Sequence, residues 1–171
     1  MRSAPPLLLE DLGELVVERS GVLNLGVEGM MIMGAVVAFA AAQITGSAGL
    51  GAVSGLIAGM LFSLLFGFLT LTLVANQVAT GLALTILGLG LSGMIGEPFI
   101  GLPGLKLAAI EIPGLAQIPF IGPILFKQDP IFYVSILAVV GVNWFLFKSR
   151  AGLRLRAIGD NHSSAHALGV K

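Results

Sequence analysis

Apolar residues run along this chain in long blocks, not in the one-sided stripes of a soluble helix or the alternation of a half-buried strand. Between Glu28 and Glu97 no charged residue occurs, which leaves 68 uncharged positions from 29 to 96. A bilayer crossing takes about 20 apolar residues, so this stretch holds three crossings with short turns between them. The turn-prone run 43–51 (QITGSAGLG) and the polar break 75–77 (ANQ) divide it. Helices are therefore expected over 29–45, 52–74 and 78–95. A fourth is expected over 131–147, between Asp129-Pro130 and Lys148.

Ahead of these blocks lies Ala4 to Glu18, apolar at Leu7, Leu8, Leu9, Leu12, Leu15, Val16 and Val17 but carrying Glu10, Asp11, Glu14 and Glu18. Acids are costly at mid-bilayer. The segment reads either as a half-buried helix entering the membrane or as one shielded inside a bundle. It does not read as a signal peptide, because its apolar run is short and no small-residue cleavage site follows. Residues 97–130 carry Pro98, Pro103, Pro113, Pro119, Pro123 and Pro130, a spacing that forbids a long helix. This loop is still apolar enough to pack over the outer mouth of a bundle. The expected architecture is all-α: a polytopic membrane bundle of about four full crossings, an N-terminal partial helix and a cytoplasmic coupling helix.

Composition narrows the class. Of 171 residues only 11% are charged, nine basic against nine acidic, while 56% are apolar and 24 are glycine. Mean hydropathy is +1.00. So few charges cannot clothe a soluble surface, and no basic excess marks a nucleic-acid binder. Without cysteine there is neither disulfide nor thiolate metal site. The basic residues also set an orientation. Lys148, Arg150, Arg154 and Arg156 crowd behind the fourth block, and positive flanks stay in the cytoplasm. Counting back, the 97–130 loop lies outside, Asn76-Gln77 at the inner face, and the first crossing begins inside.

Three patterns look like chemistry and are better explained otherwise. Gly88, Gly90 and Gly93 match the dinucleotide fingerprint in letters, but that motif needs a preceding strand and a phosphate at a helix N-terminus. Inside an apolar run, helix packing explains them. Gly51, Gly55 and Gly59 repeat every four residues, as small residues do where membrane helices approach closely. His162 and His166, four apart with Asp160 near, lack the further ligands of a metal site. The sequon at 161–163 follows a cytoplasmic flank and is set aside, and no metal is assigned.

Two stretches do carry functional weight. Residues 18–31 (ERSGVLNLGVEGMM) interleave Gly21, Gly26 and Gly29 with Asn24 and Glu28, which makes a poor helix. Irregular backbone at membrane depth survives only when buried in protein or lining a cavity. Glu28 is thus a functional candidate, or else an interfacial residue in water. Residues 150–170 (RAGLRLRAIGDNHSSAHALGV) offer Asp160 or Asn161 as cap for a short helix over about 162–168, with Gly169 as its stop. A short capped helix behind a basic flank has the form of a docking element for a cytoplasmic partner.

Residues 18–31, 75–84 (ANQVATGLAL) and 152–170 together resemble the permease subunit of bacterial ABC importers, in the branch serving nucleosides and simple sugars and related to ribose and branched-chain amino-acid permeases. The resemblance runs in order along nearly the whole chain. It implies a multi-pass inner-membrane protein that is not itself an enzyme. It implies a pathway built with a second permease subunit, two cytoplasmic ABC ATPase subunits that bind the ATP, and an extracytoplasmic substrate-binding protein. No nucleic acid and no cofactor in this chain are implied, and the chain has no phosphate loop of its own. Segment 149–171 would be the ATPase-coupling element, with Arg154, Arg156, Gly159, Asp160, Asn161, Ala165 and Gly169 at the matching positions. His162 stands where the family usually has proline, and Ser164 where it has alanine. Asn24, Glu28, Asn76 and Gln77 match polar positions near the pathway. Family permeases are roughly twice this length, so the chain is expected to be a fragment, a split subunit or a truncated reading frame. A decayed permease acting only as a membrane scaffold is the alternative reading. A membrane enzyme finds no nucleophile–base pair or metal set beside Glu10, Asp11, Glu14 and Glu28.

Overall fold

A computed structural model describes residues 4–105, 110–111, 127–128 and 130–161. The described elements are α1 (Ala4–Glu18), α2 (Val27–Thr45), α3 (Ala48–Gly67) with a π-helical turn over Phe68–Thr72, and α4 (Gln77–Gly96) with a 3-10 turn over Glu97–Phe99. Then come β1 (Ile110–Glu111), β2 (Lys127–Gln128), α5 (Pro130–Lys148) and α6 (Arg150–Asp160). Among the described residues, four helical stretches are long and apolar enough to cross a membrane: Val27–Thr45, Ala48–Thr72, Gln77–Phe99 and Pro130–Lys148. The fold is helical, as the sequence leads one to expect, with one addition. Strands β1 and β2 pair antiparallel, Ile110 opposite Gln128 and Glu111 opposite Lys127. Where prolines forbid helix, strand pairing is what remains to satisfy backbone N–H and C=O groups.

The chain divides into two compact units, residues 23–106 and residues 1–22 with 107–171. In the first unit α2 is central and packs against both α3 and α4. Its contact with α3 is made by small residues on both sides. A Cβ placed on Gly51 would sit 2.6 Å from the Ala38 carbonyl oxygen and 2.7 Å from the Ala42 Cβ, and one on Gly55 2.7 Å from the Gly34 carbonyl oxygen. Positions 34, 38 and 42 share one helical face, so α2 offers α3 a smooth backbone ridge. Gly59 is different: nothing lies within 4 Å of its Cβ position, so the four-residue repeat is used only twice here.

On α4 the buried residues are Gly81, Leu84 and Gly88, again one face. A Cβ on Gly88 would lie 2.7 Å from the Gly29 carbonyl oxygen, and one on Gly29 2.7 Å from the Leu84 carbonyl oxygen and from the Thr85 Cα. The packing explanation of the 88–93 glycines therefore holds for Gly88 alone, since Gly90 and Gly93 stand open.

Both ends of α2 and α4 are tied together. At their starts the Leu23 amide donates to Gln77 Oε1 at 2.9 Å, and at their ends Gln43 Nε2 donates to the Pro103 carbonyl at 2.7 Å. The Phe39 and Phe99 rings meet edge-on at 6.4 Å. Helices α2 and α4 thus run in the same direction, and α3 returns between them in sequence. The return ends in the π turn and in Val74, whose φ of 53° is left-handed, a conformation strained for a β-branched residue. The outer faces stay apolar and bare: on α3, Leu56, Met60 and Leu64 are 68%, 64% and 67% exposed. In water each such side chain forgoes about 1.5–3 kcal/mol of burial; against lipid tails it forgoes little.

In the second unit α1 packs on α5, and α6 folds back on α5. Glu10 and Glu14 are half-buried on α1, while Asp11 and Glu18 are exposed. Ser149 makes the α5–α6 corner: its hydroxyl donates to the Phe145 carbonyl at 2.6 Å and accepts from the Gly152 amide at 2.9 Å. One side chain thereby satisfies the end of α5 and caps the start of α6. Gly152 lies directly against the Phe145 carbonyl, where no side chain fits.

Candidate functional site

The irregular segment before α2 is built by its own side chains and glycines. Asn24 is buried, and its Oδ1 accepts from the Gly26 amide at 3.0 Å while its Nδ2 lies 3.6 Å from Met30 Sδ. That Asx-type bond turns the chain into α2. Gly26 then rests on Gly81: a Cβ on Gly81 would meet the Gly26 nitrogen at 2.9 Å and the Leu25 backbone at 3.0 Å. Thr85 Oγ1 lies 3.2 Å from both the Leu25 and Gly81 carbonyls, joining segment to helix. The expectation that this backbone is irregular and buried in protein is met at Asn24 and Gly26.

The four polar positions of the sequence reading fall into distinct settings. Gln77 holds the Leu23 amide, so Asn24 and Gln77 serve one brace. Asn76 caps α4, accepting from the Ala79 amide at 3.0 Å, and lines an open hollow of about 460 Å³ with Thr80, Leu65, Leu69, Leu84 and neighbouring residues. Glu28 is exposed in the first turn of α2, where a carboxylate favours the helix N-terminus. Thr85 and the Gly29–Gly88 approach were not singled out from sequence. Their signal is the spacing of Gly81, Leu84 and Gly88, visible only once Gly29 is known to be opposite.

At the other candidate element the described residues form a helix that the sequence reading does not include. Arg150–Asp160 is helical, and Asp160 is its last residue. The strong Ser149 cap starts the helix at Arg150. Asn161 is extended, with φ −155° and ψ 95°, the backbone an N-cap uses. The 162–168 stretch, His162, His166, Ala165 and Gly169 lie outside the described residues. Arg154, Asp160 and Asn161 are exposed. Arg156 is instead drawn inward: its guanidinium carbon sits 4.8 Å from the Phe147 ring centre, and its Nε is buried without a hydrogen-bond partner. Cation–π contact offsets part of that desolvation. Gly159 packs against the backbone of Arg19 and Gly21.

Compared with known proteins, residues 1–171 match the family described as branched-chain amino acid transport system / permease component. The chain belongs to that permease family. It is therefore a multi-pass membrane protein of a transporter family, and no enzyme. Over 99% of its length it is 38% identical to TsgC13 of Haloferax volcanii, an ABC transporter permease protein whose name carries a provisional glucose assignment. It is 35% identical over 98% of its length to the guanosine ABC transporter permease protein NupQ of Bacillus subtilis. It is 33% identical over 96% to the nucleoside ABC transporter permease protein NupC of Lactococcus lactis. The chain spans 53%, 56% and 56% of these relatives, about half their length. No solved structure matches it.

Proposed function

We propose that this permease chain forms part of the translocation pathway of an ABC importer for nucleosides or simple sugars. The observation that carries the reading is the match to three sugar- and nucleoside-named permeases along 96–99% of the chain. ATP is bound by cytoplasmic ATPase subunits, a second permease subunit completes the pathway, and an extracytoplasmic binding protein delivers substrate. Segment 149–171 docks the ATPase through Arg154, Asp160 and Asn161, whose exposure suits an intermolecular contact. The parallel course of α2 and α4, tied at both ends, fits an orientation in which both begin at the cytoplasmic face. The segment around Asn24, Asn76 and Gln77 then lies at the inner end of the pathway, and its firm bracing suits a part that must keep its shape while helices around it move.

Uptake measured in the native host, wild type against a deletion, tests this directly. Labelled guanosine, glucose and leucine are offered in parallel. Loss of guanosine or glucose uptake with leucine unchanged is expected. Loss of leucine uptake alone would overturn the substrate class.

A further inference from the structure

Among the described residues of the second unit, a tight backbone approach joins residues 138 positions apart. A Cβ on Gly21 would lie 3.1 Å from the Gly159 Cα. In the reverse direction, a Cβ on Gly159 would press on the Arg19 carbonyl oxygen and lie 3.0 Å from the Gly21 nitrogen. The turn it touches is rigid. The Ser20 hydroxyl donates to the Val17 carbonyl at 2.6 Å, the Gly21 amide donates to the Glu18 carbonyl at 2.9 Å, and Gly21 has a φ of 84° that favours glycine. Both glycines are required by geometry: one by its backbone angle, the other by the space it leaves. Gly159 also adjoins exposed Asp160, while Gly21 is three residues before buried Asn24.

We infer that Gly159 is a positioning residue, seating the end of α6 on the Arg19–Gly21 turn so that movement of α6 is passed to the segment leading into α2. The inference rests on the docking reading of α6. It assigns Gly159 a task separate from that of Asp160 and Asn161: they face the ATPase, whereas Gly159 faces its own chain. Backbone against backbone is a stiff contact, because neither side has a rotamer that can give way. A displacement at the docking end therefore reaches the turn without being absorbed by side chains.

The test uses the assembled transporter in membrane vesicles, with energised uptake, ATP hydrolysis and co-purified ATPase read together. Gly159→Ala is expected to lower uptake at least tenfold while the ATPase stays bound and hydrolysis loses its response to substrate. Because the chain has no cysteine, Arg19→Cys, at an exposed side chain, with Ile158→Cys provides a second arm that leaves the Ser20 hydroxyl bond in place. A short bifunctional thiol reagent should link the pair within one chain, and the linked protein should keep uptake, since a rigid joint tolerates being fastened. Gly159→Ala with uptake within twofold of wild type overturns the inference. So does absence of the cross-link, loss of uptake on linking, or loss of the ATPase along with uptake. If wild type itself retains no ATPase, the docking reading fails instead, and the cross-link, which needs no partner, still reports whether the contact exists.

Discussion

Replacing Gly29 by alanine adds one methyl group where α2 crosses α4, and the crossing has no room for it. The new Cβ would sit 2.7 Å from both the Leu84 carbonyl oxygen and the Thr85 Cα. Ordinary contact begins at 3.4 Å, so the helices must separate by about 0.7 Å or one must shift along the other. Both neighbours are backbone atoms, and no rotamer change relieves them. Overpacking of this kind costs about 1–3 kcal/mol, and the intrinsic preference of a helix for alanine over glycine returns about 1 kcal/mol. The net change for Gly29→Ala is roughly 0–2 kcal/mol of destabilisation. Gly90→Ala is the matched control. Nothing lies within 4 Å of its Cβ, so only the helix preference remains and the variant gains about 1 kcal/mol. The two alanines differ by about 1–3 kcal/mol, although both sit in apolar runs of similar composition. Thermal unfolding of the detergent-solubilised chain, followed by far-ultraviolet circular dichroism, reads the difference. If Gly29→Ala proves as stable as Gly90→Ala, the close α2–α4 crossing is wrong.

Other outcomes follow from single bonds. Asn76→Ala removes the α4 cap and should cost about 0.5–2 kcal/mol, with faster hydrogen exchange at the Ala79 amide; Asn76→Asp should restore protection. Asn24→Ala leaves the buried Gly26 amide unpaired at about 1–3 kcal/mol and should reduce uptake while the subunits still assemble; unchanged uptake would remove Asn24 from the functional segment. Gln77→Ala frees the Leu23 amide, and its exchange should accelerate severalfold while amides in the middle of α4 keep their protection. Cysteines at Thr45 and Ala157, both exposed, should label from opposite faces of the membrane; labelling from one face refutes the orientation.

Most helices were legible because charge and turn residues mark them. The uncharged run, broken at 43–51 and 75–77, placed α2, α3 and α4 to within a few residues. Proline and Lys148 bracketed α5. Pairing was harder to read. Glycine spacing tells that a helix has a smooth face, but not which glycines find a partner. Gly51, Gly55 and Gly88 do, while Gly59, Gly90 and Gly93 remain open. That information sits in the opposite helix, at Gly34, Ala38, Ala42 and Gly29. Helix α6 was not legible, because the basic residues from Lys148 to Arg156 mark a flank and draw attention away from the hydroxyl cap at Ser149; the helix expected over about 162–168 lies outside the described residues. Ser149 caps α6, and its hydroxyl also satisfies the end of α5. Polar residues in the irregular segment and at the inner-face break read as functional candidates, yet Asn24, Asn76 and Gln77 each fix backbone as well. A single chain's sequence does not separate those tasks, because both require a short polar side chain at an irregular turn.

On the proposed function, this permease chain docks an ABC ATPase through the exposed end of α6. Affinity purification of the tagged protein from native membranes, with any bound ABC ATPase identified by mass spectrometry, tests it most directly. The ATPase is expected with wild type and is expected to be lost with Asp160→Arg combined with Arg154→Glu, while the permease remains in the membrane at normal level. Equal recovery of the ATPase with both proteins would contradict the claim.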